Sequence, residues 1–156
     1  LIRIDASKIT KDLLAIKKAS RDLHDLLVGE ETMMAIAVQG ITVIKRRTAQ
    51  SKDADGASFA KYSEGYEKAK IKKGRSATPD LRGFGRNPRM MENIHARYDG
   101  PRKATILFTN SEQANKAAGN MKKREFFDIR LPEEIAALTR KLNQSVDTAI
   151  KKLRLG

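Results

Sequence analysis

The stretch "MENIHARYDGPRKATILFTN", residues 91–110, decides the fold because the apolar period of the chain changes there. Ile94, Ala96 and Tyr98 alternate with His95 and Arg97, Asp99 and Gly100 supply a turn, and Ala104, Ile106 and Phe108 resume the alternation. A period of two puts the apolar side chains of both arms on one face, which predicts a β-hairpin.

Outward from the hairpin, the period returns to that of helices. Ile9, Leu13, Ile16, Leu23 and Leu27 recur at three-to-four spacing, with Ser7 as a fair N-cap and Gly29 as a stop. A second helix starts near Glu30 and carries Met33, Ala37, Ile41 and Ile44 on one stripe. Its last turn holds Lys45, Arg46 and Arg47, where cations suit the helix dipole. The two are expected to pack as a hairpin. On the other side, "REFFDI" (124–129) reads as a third short strand and "LIRI" at the start as a fourth. Pro132 then opens a last helix, with Glu133 and Glu134 in its first turn and Ile135, Leu138, Leu142, Val146, Ile150 and Leu153 as its stripe. The class is α+β: three long helices around a small antiparallel sheet, with an extended polar arm or loop. The length suits a single domain over 1–156, with 48–90 as an extended arm or loop region.

The chain has no Cys, which excludes disulfides, thiolate metal sites and a cysteine nucleophile. Its apolar stretches, such as Met33 to Ile44, fall short of the about 18 unbroken apolar residues that span a bilayer, and charges interrupt the N-terminal residues where a signal peptide would be apolar. A soluble, intracellularly made protein with no membrane partner is expected. The net charge of +13 favours polyanions. Trp is absent and aromatics are 5% of the chain, so phosphate contact is expected rather than base stacking. The cations concentrate at Lys45, Arg46, Arg47, Lys70, Lys72, Lys73, Arg75, Arg82, Arg86 and Arg89, the candidate polyanion-facing set.

Catalytic and metal chemistry finds little support in the residues. Were "DADG" (53–56) part of an EF-hand loop with Gly56 sixth, Tyr62 would stand twelfth, where a bidentate Glu is required. A plain turn fits better, with Asp bonding its own backbone and Gly permitting positive φ. His24 and His95 have no partners at zinc spacing and read as surface residues. "RGFGRNP" follows no strand and has Pro88 where a third Gly belongs, so it is no dinucleotide fingerprint. Glu133 and Glu134 point in different directions on a helix and read as a dipole-matched first turn. No nucleophile, base and orienting group assemble, and no enzyme, metal or cofactor is expected.

The polar stretch from Arg46 to Gly74 contains "RT", "DADG", "SFAKYSEGY" and then Lys and Gly; "LRGFG", "MMENIHARY" and "REFFDI" follow before the final helix. In this order the motifs resemble the phage virion morphogenesis family of tail completion proteins, with neck and minor tail protein Z types as neighbours. The family's Arg-Thr falls on Arg47 and Thr48, its Asp-Gly on Asp55 and Gly56, and its aromatic and Lys positions on Phe59, Tyr62, Tyr66 and Lys70. Its Leu, Gly, Leu or Met, Ile pattern falls on Leu81, Gly83 or Gly85, Met90 or Met91, and Ile94. "GRNPR" departs from that pattern.

The resemblance implies a structural virion protein without a catalytic site, acting late in assembly where tail meets head. It implies a homo-oligomeric ring, commonly six-fold, around the channel through which DNA passes. The head connector, tail terminator or tube proteins and the genome would be its partners, and the neck or tail of a virion assembled in the host cytoplasm its location. The polar stretch becomes an arm ordered by neighbouring subunits, with Phe59, Tyr62 and Tyr66 as interface anchors, aligned if the segment turns helical near Ser63. The competing reading is a non-specific duplex nucleic-acid-binding protein using the same cations. A nuclease would need clustered carboxylates, and here the acids are scattered.

Overall fold

The computed structural model describes residues 6–81 and 90–154. The elements in order are α1 (Ala6–Val28), α2 (Glu30–Ala49), α3 (Glu64–Lys72), a 3-10 turn (Met90–Asn93), β1 (Ile94–Gly100), β2 (Lys103–Phe108), α4 (Ser111–Met121) and α5 (Pro132–Arg154). The fold is α+β, with three long helices of 23, 20 and 23 residues and a two-stranded antiparallel sheet.

The hairpin forms in the register its alternation demands: Ile94 pairs with Phe108, Ala96 with Ile106 and Tyr98 with Ala104. Its turn lies later than expected. β1 runs on through Gly100 (φ +123), and Pro101 and Arg102 (φ +64) make the reversal. Asp99 is displaced from the ladder; its carboxylate accepts from Arg97 Nε at 2.7 Å and from the Thr105 hydroxyl across the hairpin. Those two bonds, the hydroxyl first, hold its pKa below the usual carboxylate range.

α2 is the central element, packing on both strands and on α5. Gly40 permits the approach to the sheet, since a Cβ there would lie 2.9 Å from Ile106 Cδ1 and 3.3 Å from Ile129 Cδ1. The core gathers Ile41 and Ile44 of α2 with Phe59, Leu81, Met90, Met91, Ile94, Ala117 and Phe126. By length and composition, the helical run from Leu13 to Ala49 includes a stretch able to cross a bilayer, contrary to the sequence reading. In the fold, Ala37, Ile41, Val43 and Ile44 of that run are buried against the protein's own core.

Two expectations are corrected and one helix is added. First, α1 and α2 are no hairpin. Only Gly29 separates them, and Leu13, Leu14 and Ile16 of α1, which a hairpin would bury, are exposed. Second, 124–129 is no strand. The carbonyls of Phe126 and Asp128 accept from Arg47 Nη2, each at 2.6 Å, and Glu125 O accepts from Ala54 N, so the segment's acceptors are spent on a guanidinium and a loop rather than a ladder. Third, α4 was not foreseen, although Asn110 caps it by accepting from Glu112 N and Gln113 N. The expected strand at 1–4 lies outside the described residues.

Candidate assembly surface

The polar stretch leaves α2 as a loop closed on itself. Phe59 N donates to Ser51 O at 2.7 Å, and Lys52 and Ser58 form an isolated bridge. At its tip Asp53 Oδ1 accepts from Asp55 N (3.0 Å) and Ala57 N (2.8 Å), with Gly56 at φ +82. This is the turn the sequence suggested. Arg130 reaches Asp55, Glu125 and Asp128 at 3.1, 2.9 and 2.7 Å, fastening the loop tip to the segment before α5. The Asp128 carboxyl is held below its usual range, first by Arg130 and then by the Ile129 N–H. Among the described residues no three His, Asp or Glu side chains converge as metal ligands.

The segment is therefore a loop packed on its own subunit, and the interface assignment of Phe59 is corrected. Phe59 is 6% exposed and sits in the core. Tyr62 is half-buried at the centre of a knot: its ring meets Tyr66 edge-on at 4.8 Å, with Lys70 Nζ 4.7 Å and the Arg124 guanidinium 5.1 Å from its centroid. Its hydroxyl accepts from Leu81 N, which holds Leu81 in the left-handed region at φ +56. Burial, and then Tyr62, push the Tyr66 hydroxyl up from its usual pKa. The helix foreseen near Ser63 does form, as α3, and it carries Tyr66 against the ring of Tyr62.

Two cations assigned to a polyanion face are buried instead. Arg47 is 3% exposed, with Nη1 paired to Glu134 Oε2 and Nη2 donating to the carbonyls of Phe126 and Asp128. Lys70 is 1% exposed and pairs with Asp80 at 3.0 Å. A lysine or arginine so deeply buried is held by its partner and is closed to a phosphate backbone. Arg124, which the sequence reading passed over, donates to the carbonyls of Ala60 and Lys61. Arg46, Lys72, Lys73 and Arg75 are exposed and Lys45 is half-buried, at the C-terminal ends of α2 and α3. Arg82, Arg86 and Arg89 lie outside the described residues.

The outer surface carries apolar features as well. α5 buries Glu134, Ala149 and the flank around Leu138, and so leaves Ile135 and Leu142 of its own stripe 49% and 38% exposed. Beside them a groove of about 260 Å³ runs between α2, β2 and α5, lined by Met33, Ile36, Ile106, Ile129 and Leu138, with Arg102 also in its wall. No family model, curated protein or solved structure matches the chain.

Proposed function

We propose that the protein is a non-enzymatic structural subunit of a phage virion, a tail completion or neck protein that forms a homo-oligomeric, six-fold ring at the head–tail junction. One observation carries the reading: the positions on which the family resemblance rests belong to one connected framework. Arg47 ties α2 to α5, Phe59 is core, and Tyr62, Tyr66 and Lys70 form the knot that seats the polar stretch. Motifs in a fixed order, each with a structural task, are what a shared architecture requires. The head connector, tail terminator or tube proteins would then meet the outer surface, and exposed cations such as Arg46 and Lys72 would face DNA in the channel or acidic rings beside it.

Labelling intact particles tests this. An antibody to the protein is expected at the neck, and particles lacking the protein are expected to accumulate as separate filled heads and tails. Label elsewhere, or normal particles without the protein, would refute it. The second reading, non-specific duplex binding, is favoured by the net charge of +13 and predicts affinity that falls steeply with salt and ignores sequence.

A further inference from the structure

The join between α2 and the polar stretch holds polar side chains that the protein itself does not satisfy. Among the described residues, Arg47 Nε, Thr48 Oγ1 and Ser51 Oγ are shut from solvent and make no hydrogen bond. Thr48 and Arg47 are 1% and 3% exposed. A buried polar atom without a partner is costly, and these lie within one turn of chain, Ser51 following Thr48 by three residues and Arg47 by four. Two features set the hydroxyls apart. Thr42, Thr139, Ser145 and Thr148 each turn their hydroxyl onto the carbonyl four residues back in their helix, whereas Thr48 does not. Lys52 N donates to Arg47 O and Ser51 N to Thr48 O, the pair of bonds that ends a helix on a left-handed residue, commonly Gly. Here that residue is Ser51, at φ +60, and what it adds over Gly is a hydroxyl turned away from solvent.

We propose that an internal water molecule is bound at this join, shared by Arg47, Thr48 and Ser51, as a fixed part of the fold. The chemistry of the donors selects it. Arg47 Nε–H can only donate, so the ligand must present a lone pair to it, which no metal cation can do. The guanidinium charge is already matched by Glu134, so a buried anion would bring a charge with no counterion. Water meets both conditions: its oxygen accepts from Arg47 Nε–H, and its protons go to Thr48 Oγ1 and Ser51 Oγ, the about three bonds usual for a buried water. Side chains three and four apart on a helical turn have Cβ atoms about 5–6 Å from one another, a gap that one water bridges. The water fastens the last turn of α2 to the loop, whose other strand is held where Phe59 N donates to Ser51 O.

Magnetic relaxation dispersion of the water oxygen counts the waters held inside the folded chain and tests this. Thr48→Val and Ser51→Ala remove the hydroxyls with little change of shape, and Ala at position 51 keeps the left-handed strain of Ser. Each is expected to hold about one long-lived water fewer than wild type, and Thr48→Ser the same number. Each should also lower Tm by roughly 2–4 °C, and the double variant by less than the sum, because the first substitution already releases the shared molecule. A double variant that holds as many long-lived waters as wild type would overturn the proposal. So would a rise in Tm for Thr48→Val, since the hydroxyl would then be buried dry. Strictly additive losses would overturn the sharing of one molecule. A gain in stability with chloride, present in wild type and lost in the double variant, would overturn water in favour of an anion.

Discussion

Replacing Arg47 with Ala is expected to be among the most damaging single changes in the chain. Both members of the Arg47–Glu134 pair have side chains 3% exposed, so the variant strands a carboxylate where water cannot solvate it. Breaking a buried pair in this way costs about 3–5 kcal/mol. The loss of the donor to the Phe126 and Asp128 carbonyls belongs to the same event and keeps the total at the upper end of that range. For a chain of this size, about 4 kcal/mol lowers Tm by roughly 8–16 °C. The assay is urea and thermal unfolding of Arg47→Ala, Arg47→Met, Glu134→Leu and the double variant Arg47→Met, Glu134→Leu. The double variant should recover about 2–3 kcal/mol relative to the sum of its parts, because no charge is then left unpaired. It should not reach wild type, since the two carbonyls still lack their donor. Arg47→Lys keeps the charge but cannot serve an acid and two carbonyls in one plane, and it should fall between the extremes. A loss below about 1 kcal/mol for Arg47→Ala, the level of an exposed ion pair, would refute the burial argument and return Arg47 to the surface as a polyanion contact.

Phe59→Ala should destabilise by about 3–5 kcal/mol in the same unfolding assay, the cost of emptying a core aromatic site; a Tm unchanged from wild type would mean that Phe59 serves a partner instead. Because burial raises the Tyr66 pKa above its usual 10.0, the folded state holds that proton to higher pH than the unfolded chain, so its contribution is whole below pH 10 and is lost as pH rises beyond it. Tm measured across the alkaline range should therefore fall less steeply for Tyr66→Phe than for wild type, and equal slopes would contradict the assignment. Lys45→Glu with Arg46→Glu should weaken binding to duplex DNA across all sequences and flatten its salt dependence, whereas Lys70→Met should change stability and leave the salt slope alone. A salt slope altered by Lys70→Met would show that the lysine reaches phosphate.

The parts of the fold that were legible are those in which apolar period and burial coincide. Ile94, Ala96 and Ile106 alternate because one face of the hairpin meets α2, and their pairing follows directly. α5 shows where that logic stops. Its apolar stripe through Ile135 and Leu142 predicts a buried face, but the buried residue of its first turn is Glu134, because Arg47 opposite it needs a carboxylate. Charged residues were assigned to solvent by composition, and nothing local in the sequence marks Arg47 or Lys70 as internal; their partners lie 87 and 10 residues away. The strand expected at 124–129 failed for the same reason, since only the guanidinium of Arg47 explains why its carbonyls need no ladder.

The polar stretch follows from this. A segment with so few aliphatic residues cannot bury enough apolar surface to hold itself in place, and for that reason it reads as an arm. The fold seats it with cations instead: Arg124 on the carbonyls of Ala60 and Lys61, Lys70 against Asp80, and both beside the ring of Tyr62. Each of the two ion pairs, Arg47–Glu134 and Lys70–Asp80, removes one cation and one anion together, so drawing them inward leaves the charge excess at the surface undiminished. The excess that invites a polyanion or an acidic ring is therefore carried by side chains such as Arg46, Lys72 and Arg75, which take no part in seating the segment. Under the proposed function, stability and charge recognition would reside on separate sets of basic residues, and charge reversal at one set is expected to leave the other intact.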